Sequence, residues 1–180
     1  FNGALVPIEL GDLEESFFPY AINLFTYQDQ LWGLPYNLEN VALIRNTDLV
    51  PELPATWQEV RAVSEQLIAD GKLYGFVAHT GNPYHVYPIF SAFGGYVFGF
   101  NEDGTYNVAD IGLNSEGSLA AAQWLSDMYA ADLMPQNIGD NEVFDLFETG
   151  DASMFITGPW YSERIKQTAE AGGFNYSIDP

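Results

Sequence analysis

Stretches with helical periodicity alternate with short apolar stretches along this chain, and that alternation limits the fold more than any other feature. The clearest unit begins at Thr56-Trp57-Gln58-Glu59. Thr56 can accept an orphan amide of a helix start while Glu59 reaches back to the cap amide, a capping box. Val60, Val63, Leu67 and Ile68 follow at the spacing of one helical face. Gly71 supplies the stop, and Tyr74 to Ala78 reads as a short buried strand. Elsewhere, Glu14 to Leu24 predicts a helix carrying Phe17, Phe18 and Leu24. Leu31 to Pro35 and Val41 to Arg45 predict strands. Tyr84 to Phe93 predicts a helix broken by Gly94-Gly95. Tyr96 to Phe100 and Thr105 to Val108 flank Asn101-Glu102-Asp103-Gly104, a β-hairpin with Asp-Gly turn chemistry. A long helix is expected from Ser115 to Ala131, with Leu119, Ala122, Leu125, Met128 and Tyr129 on one face. Asn141 is the expected cap of a short helix bearing Phe144 and Phe147. Ser153 to Ile156 predicts a strand, Gly158-Pro159-Trp160 opens another helix with Pro159 in its first turn, and Phe174 to Ile178 predicts the last strand. Helix and strand in alternation argue an α/β fold.

Composition then removes whole classes of function. The 180 residues are 47% hydrophobic, enough for one domain with a core. The net charge is −20 with five Lys plus Arg, so a phosphate backbone would be repelled and nucleic-acid binding is excluded. An anionic membrane surface is disfavoured for the same reason. With no Cys, disulfides and thiolate chemistry are excluded. No stretch reaches the ~20 apolar residues of a membrane helix. The chain opens on Phe1-Asn2-Gly3 and closes on Asp179-Pro180 in mid-pattern, which predicts a segment of a longer protein.

Catalytic signatures are missing. His79 and His85 are the two histidines, and neither has a triad partner in sequence. No G-x-S-x-G elbow and no phosphate loop occurs. A glycoside hydrolase needs two carboxylates about 5 to 10 Å apart. Among 25 Asp plus Glu some pair would meet that by chance, but none stands in a recognisable motif. Asn101-Glu102-Asp103-Gly104 is oxygen-rich but lacks calcium-loop spacing, so a plain turn is expected. No metal and no cofactor is predicted.

Three further stretches follow one another in a set order. The first is Trp32-Gly33-Leu34-Pro35-Tyr36-Asn37-Leu38-Glu39, then Ala42-Leu43-Ile44-Arg45-Asn46-Thr47-Asp48-Leu49, then Pro54-Ala55-Thr56-Trp57-Gln58-Glu59. The second is Asn82-Pro83-Tyr84 with Gly94-Gly95-Tyr96. The third runs from Phe147-Glu148-Thr149-Gly150-Asp151-Ala152-Ser153-Met154 to Gly158-Pro159-Trp160.

Together these stretches resemble the maltose-type extracellular solute-binding proteins, the sugar receptors of ABC importers, and the resemblance implies a type II periplasmic-binding-protein-like lobe, with a mixed sheet flanked by helices and a β-hairpin. Residues 1–34 would be a remnant of the N-terminal lobe approaching the hinge. Residues 35–180 would be most of the C-terminal lobe without its final helices. It implies no enzyme, a maltose or maltodextrin ligand, a membrane permease as partner of the full-length protein, and a periplasmic or extracellular location that allows a lipid anchor. A glycoside hydrolase or a carbohydrate-binding module is the alternative. By the same resemblance Trp160 and Tyr84 stack on sugar rings, and Glu39 binds hydroxyls from the hinge-proximal strand. Asn82 and Pro83 stand where the family has Glu-Pro, with Asn82 replacing a carboxylate by an amide. Tyr161 adjoins Trp160 at the cleft edge. Trp57, Trp124 and Trp32 are assigned to packing. Phe17, Phe18, Leu24 and Phe25 would lack their partners, so the chain is expected either to self-associate or to be part of a longer protein that covers them.

Overall fold

A computed structural model describes residues 3–180, and the chain divides into two units, residues 1–40 and Val41–Pro180. In the first unit a 3-10 turn (Gly11–Ser16) precedes a short helix α1 (Pro19–Leu24) and a two-stranded hairpin of β1 (Thr26–Tyr27) and β2 (Gln30–Leu31). The single helix expected over Glu14 to Leu24 is therefore split. Pro19 is the reason: it has no amide to donate and its ring pushes Phe18 out of the helical region, to φ −66 and ψ 127. Gln28 and Asp29 turn the hairpin with φ 51 and φ 57. Both central residues at positive φ is the turn that matches strand twist. The strand expected to run on to Pro35 stops at Leu31.

The second unit holds a four-stranded mixed sheet in the order β4-β7-β3-β8. Its strands are β3 (Ala42–Asn46), β4 (Tyr74–Val77), β7 (Ala152–Thr157) and β8 (Tyr176–Asp179). β4 runs parallel to β7, and β3 is antiparallel to both β7 and β8. Every residue of β7 is buried, as a strand covered on both faces requires. One face carries Phe76, Ala78, Met154 and Ile156 against α2 (Trp57–Ala69), α3 (Pro83–Ala92) and α4 (Glu116–Ala130). The other carries Ile44, Val77 and Phe155 against α5 (Asp140–Glu148) and α6 (Ser162–Gly172). Neighbouring residues of β4 and β7 point to opposite faces, which is the period of a strand. A separate hairpin pairs β5 (Phe98–Phe100) with β6 (Tyr106–Ile111). The fold is thus the expected α/β arrangement of a mixed sheet flanked by helices, with a β-hairpin.

Local expectations meet three adjustments. Thr56 caps α2 through Glu59 N–H at 3.2 Å, but the Glu59 carboxylate accepts from Ala55 N–H at 2.7 Å, one residue before the cap. The helix expected to be capped by Asn141 is capped at Gly139 and starts at Asp140, and Glu142 accepts from Gly139 N–H at 3.1 Å. The buried stripe of α4 is Ser118, Ala121, Trp124, Leu125 and Met128, while Leu119 is exposed. Ser118 is tolerated there because its hydroxyl donates to Gly112 O at 2.7 Å. The oxygen-rich loop is a turn: Asp103 Oδ1 accepts from Thr105 N–H at 3.0 Å and from its hydroxyl at 2.6 Å.

Candidate functional site

Two segments of the second unit meet to form an aromatic wall. The chain leaves β7 through Gly158 into a 3-10 turn, Pro159–Tyr161, that presents Trp160. The Trp160 ring folds back over Gly158, and a Cβ on Gly158 would collide with Cζ3 and Cη2 of that ring. Glycine is needed here for close approach and not for its dihedral freedom. Opposite, Asn82 Oδ1 accepts from Tyr84 N–H at 3.0 Å and caps α3, and Pro83 fills its first position. That start of the helix presents Tyr84. The rings of Tyr84 and Trp160 lie 6.0 Å apart at 38°, and each is nearly half exposed, at 48% and 45%. Large aromatics left so exposed and so close together form a stacking surface more readily than a core.

Beneath Trp160 lies a residue that motif reading set aside. His85 is 2% exposed and its ring is nearly parallel to Trp160, 5.8 Å away at 13°. It backs the tryptophan's inner face and fixes its tilt. Burial pulls its pKa below the ordinary histidine value; the Asp140 charge opposes that and the neighbouring His79 adds to it. The signal available in sequence was its place directly after Tyr84.

The remaining expected residues are distributed as follows. Asn82 is committed to capping through its oxygen, so its amide N–H is the group left to meet a hydroxyl. Tyr161 is half-buried; its ring stacks on Phe144 at 4.9 Å and 12°, and its hydroxyl donates to Asn141 Oδ1 at 3.2 Å. Desolvation raises its pKa. Its ring therefore supports the turn that carries Trp160. Glu39 belongs to the first unit, exposed, with Asn37 Nδ2 donating to its carboxylate at 2.9 Å. Trp57 and Trp124 pack with Phe76 in the core, their rings 5.4 Å apart. Trp32 donates to Tyr27 O at 2.9 Å. A pocket of about 510 Å³ lies between α3 and α4, lined by Pro83, Val86, Tyr87, Phe90, Val97 and Tyr129 among others. It does not include Trp160 or Tyr84.

Residues 2–180 match the family described as bacterial extracellular solute-binding protein. The chain belongs to that family. It is 35% identical over 173 residues to the galactooligosaccharide-binding protein of Bacillus subtilis (strain 168), covering 93% of this chain and 40% of that protein. It is 28% identical over 175 residues to the maltodextrin-binding protein of the same strain, covering 92% of this chain and 40% of that protein. It is 28% identical over 182 residues to the maltotriose-binding protein of Pyrococcus abyssi (strain GE5 / Orsay), covering 99% of this chain and 38% of that protein. The chain thus spans about 40% of the length of these curated relatives.

In this solute-binding chain several motif residues have structural duties. Asn46 Oδ1 accepts from Asp48 N–H at 3.1 Å and Leu49 N–H at 3.3 Å, closing the turn after β3. Asp48 in turn accepts from Asn175 N–H at 3.0 Å and Nδ2 at 2.9 Å, which ties that turn to the approach of β8. Arg45 is buried and ion-paired to Asp179 at 3.0 Å.

Proposed function

We propose that this chain contributes one wall of a sugar-binding cleft in the receptor of an ABC importer, with Trp160 and Tyr84 stacking on successive sugar rings. The observation that carries the reading is the pair of exposed rings 6.0 Å apart. The apolar faces of a sugar lie on aromatic rings while hydroxyls seek planar polar groups at the edge. Asn82 is the nearest such group in sequence, donating through its amide, and Pro83 sets the turn. Tyr161 holds the Trp160 turn. Glu39, on the first unit, is a carboxylate able to accept from a sugar hydroxyl. Membership of an extracellular family supports a periplasmic or extracellular location, and lipoprotein relatives from Streptococcus pneumoniae support a lipid anchor on the full-length protein. The membrane permease is the partner that follows from this role.

The ligand class is an oligosaccharide, and two relatives pull its identity in different directions. One is named for galactooligosaccharides and another for maltodextrin. A carboxylate at the position of Asn82 would give a charge-assisted bond to a hydroxyl, and the amide gives a weaker one. Maltodextrin is our reading, tested against β-linked galactooligosaccharides by calorimetry on the full-length receptor. Trp160→Ala should weaken the preferred sugar by about 1–3 kcal/mol, the range of a lost buried aromatic contact. An unchanged dissociation constant in that variant would remove Trp160 from the site. The role is transport and not hydrolysis. Incubation with maltotriose should release no reducing ends, and turnover abolished by Glu39→Gln would overturn it.

A further inference from the structure

Behind the aromatic wall, both histidines of the chain converge on one carboxylate. His79 lies just past β4, His85 is in the first turn of α3, and Asp140 is the first residue of α5. His79 Nδ1 stands 3.0 Å from Asp140 Oδ1, and His85 Nδ1 stands 3.1 Å from the same oxygen. The donor atoms of the three residues all lie within 4.8 Å of one another. The two imidazole rings are nearly perpendicular, at 85°.

Hydrogen bonding accounts for only half of this arrangement. The His79 contact is a hydrogen bond, whereas the buried His85 Nδ1 has no hydrogen-bond partner despite its proximity to Asp140. If that nitrogen carries a proton, a buried donor goes unused. If it carries a lone pair, a buried acceptor goes unused. Either state is costly in an interior where nearly every polar atom is satisfied. A cation among the three atoms removes both difficulties, because neutral imidazole nitrogens and a carboxylate oxygen are all ligands.

We propose that His79, His85 and Asp140 form a three-ligand site for a divalent transition-metal ion of the zinc kind, with a further position open to solvent. Ligands about 2.0–2.1 Å from zinc stand roughly 2.9–3.4 Å from each other at ordinary angles, and the two nitrogen–oxygen separations fall in that span. The donor set selects the metal: two imidazoles with one carboxylate suit zinc, nickel, cobalt or copper, whereas calcium and magnesium prefer oxygen alone. His79 and Asp140 are partly exposed while His85 is buried, so the site opens on the side of the first two and leaves room for water. The strongly acidic chain raises the local cation concentration around it. An ion there would clamp the start of α5 to the distant segment that runs from β4 into α3. Because His85 lies against Trp160, it would also fix the ring beneath the aromatic wall. The site itself stands whether or not that wall binds sugar.

The test is zinc titration of the chelator-stripped chain by calorimetry, without sugar and in excess magnesium to saturate the acidic surface. One equivalent should bind, with a rise in melting temperature. Nickel or copper should give saturable quenching of tryptophan fluorescence that is lost in Trp160→Phe. His79→Ala and Asp140→Ala should each weaken zinc by about a hundredfold or more, since outer-shell partners alone are worth about 10–100-fold. Circular dichroism without metal checks that each variant is folded. His79, the more accessible histidine, provides the decisive variant if the Asp140 change unfolds α5. Absence of saturable binding above the magnesium background, or zinc bound equally well by folded His79→Ala, would overturn the proposal.

Discussion

At the scale of single residues, Gly158 decides where Trp160 sits. Its φ of −111 is open to any residue, so alanine there meets no backbone strain. The added methyl would instead collide with the far edge of the Trp160 ring. Gly158→Ala should therefore weaken sugar binding by an amount approaching that of Trp160→Ala, with a shift in tryptophan emission and a melting temperature changed little. Equal sugar affinity in wild type and variant would show that the ring position is immaterial. Trp160 and Tyr84 were legible in sequence only because Gly158-Pro159-Trp160 and Asn82-Pro83-Tyr84 resemble the family's motifs; without that resemblance an aromatic after such a turn reads as core. The His79–His85–Asp140 cluster was not. His79 and His85 are close in sequence, but Asp140 comes from a distant helix start, and only the fold, which packs α5 on β7 next to β4, brings the three together.

At the scale of elements, the sheet edge depends on one ion pair. Arg45 on β3 reaches Asp179 on β8 at 3.0 Å and donates to the carbonyl oxygens of Val50 and Pro51; Ser177 also donates to Asp179, at 2.7 Å. Asp179→Ala leaves a buried guanidinium unpaired and should cost about 3–5 kcal/mol in denaturant unfolding. Replacing both partners by apolar residues of similar volume should cost less, since the pair's desolvation is then also avoided. A second tie carries a pH signature. Hydrogen bonds from the Asn175 side chain and backbone hold the Asp48 carboxyl below its ordinary pKa. A depressed carboxylate stabilises the fold above its unfolded value, and that stabilisation is lost as pH falls through the folded value, here below about pH 4. Asp48→Asn should flatten the acid limb of melting temperature against pH and leave the neutral region parallel to wild type. An unchanged acid limb would discount the tie. Element order was readable from capping and turn residues, but two faces were not. Leu119 was chosen for its hydrophobicity, whereas Ser118, satisfied by Gly112 O, takes the buried position. Pro19 ends one helical pattern and begins another, and the apolar periodicity ran across it.

At the scale of the whole molecule, the two units differ in how much they bury. The second closes two apolar clusters around its sheet. In the first, Ala21 is the one buried residue among those described, while Leu13, Phe18, Leu24 and Phe25 are exposed at 64%, 65%, 69% and 43%. Apolar residues concentrated like this are a surface for association. Opposing it is the charge of −20, which repels a second copy at long range. Salt decides between the two, because repulsion is screened within about 10 Å at 0.1 M while apolar burial is unaffected. We expect the chain to be predominantly monomeric in dilute buffer at low salt and to associate as salt and concentration rise. Light scattering across both variables measures this. Paired Phe18→Lys and Leu24→Lys substitutions add charge within the apolar set and should abolish the association without lowering the melting temperature of the second unit. A monomeric mass at every salt and concentration would mean that these side chains do not form a sticky surface. Association that persists in the double variant would move the interface elsewhere, with the exposed hairpin residues Phe100, Tyr106 and Val108 the next to substitute.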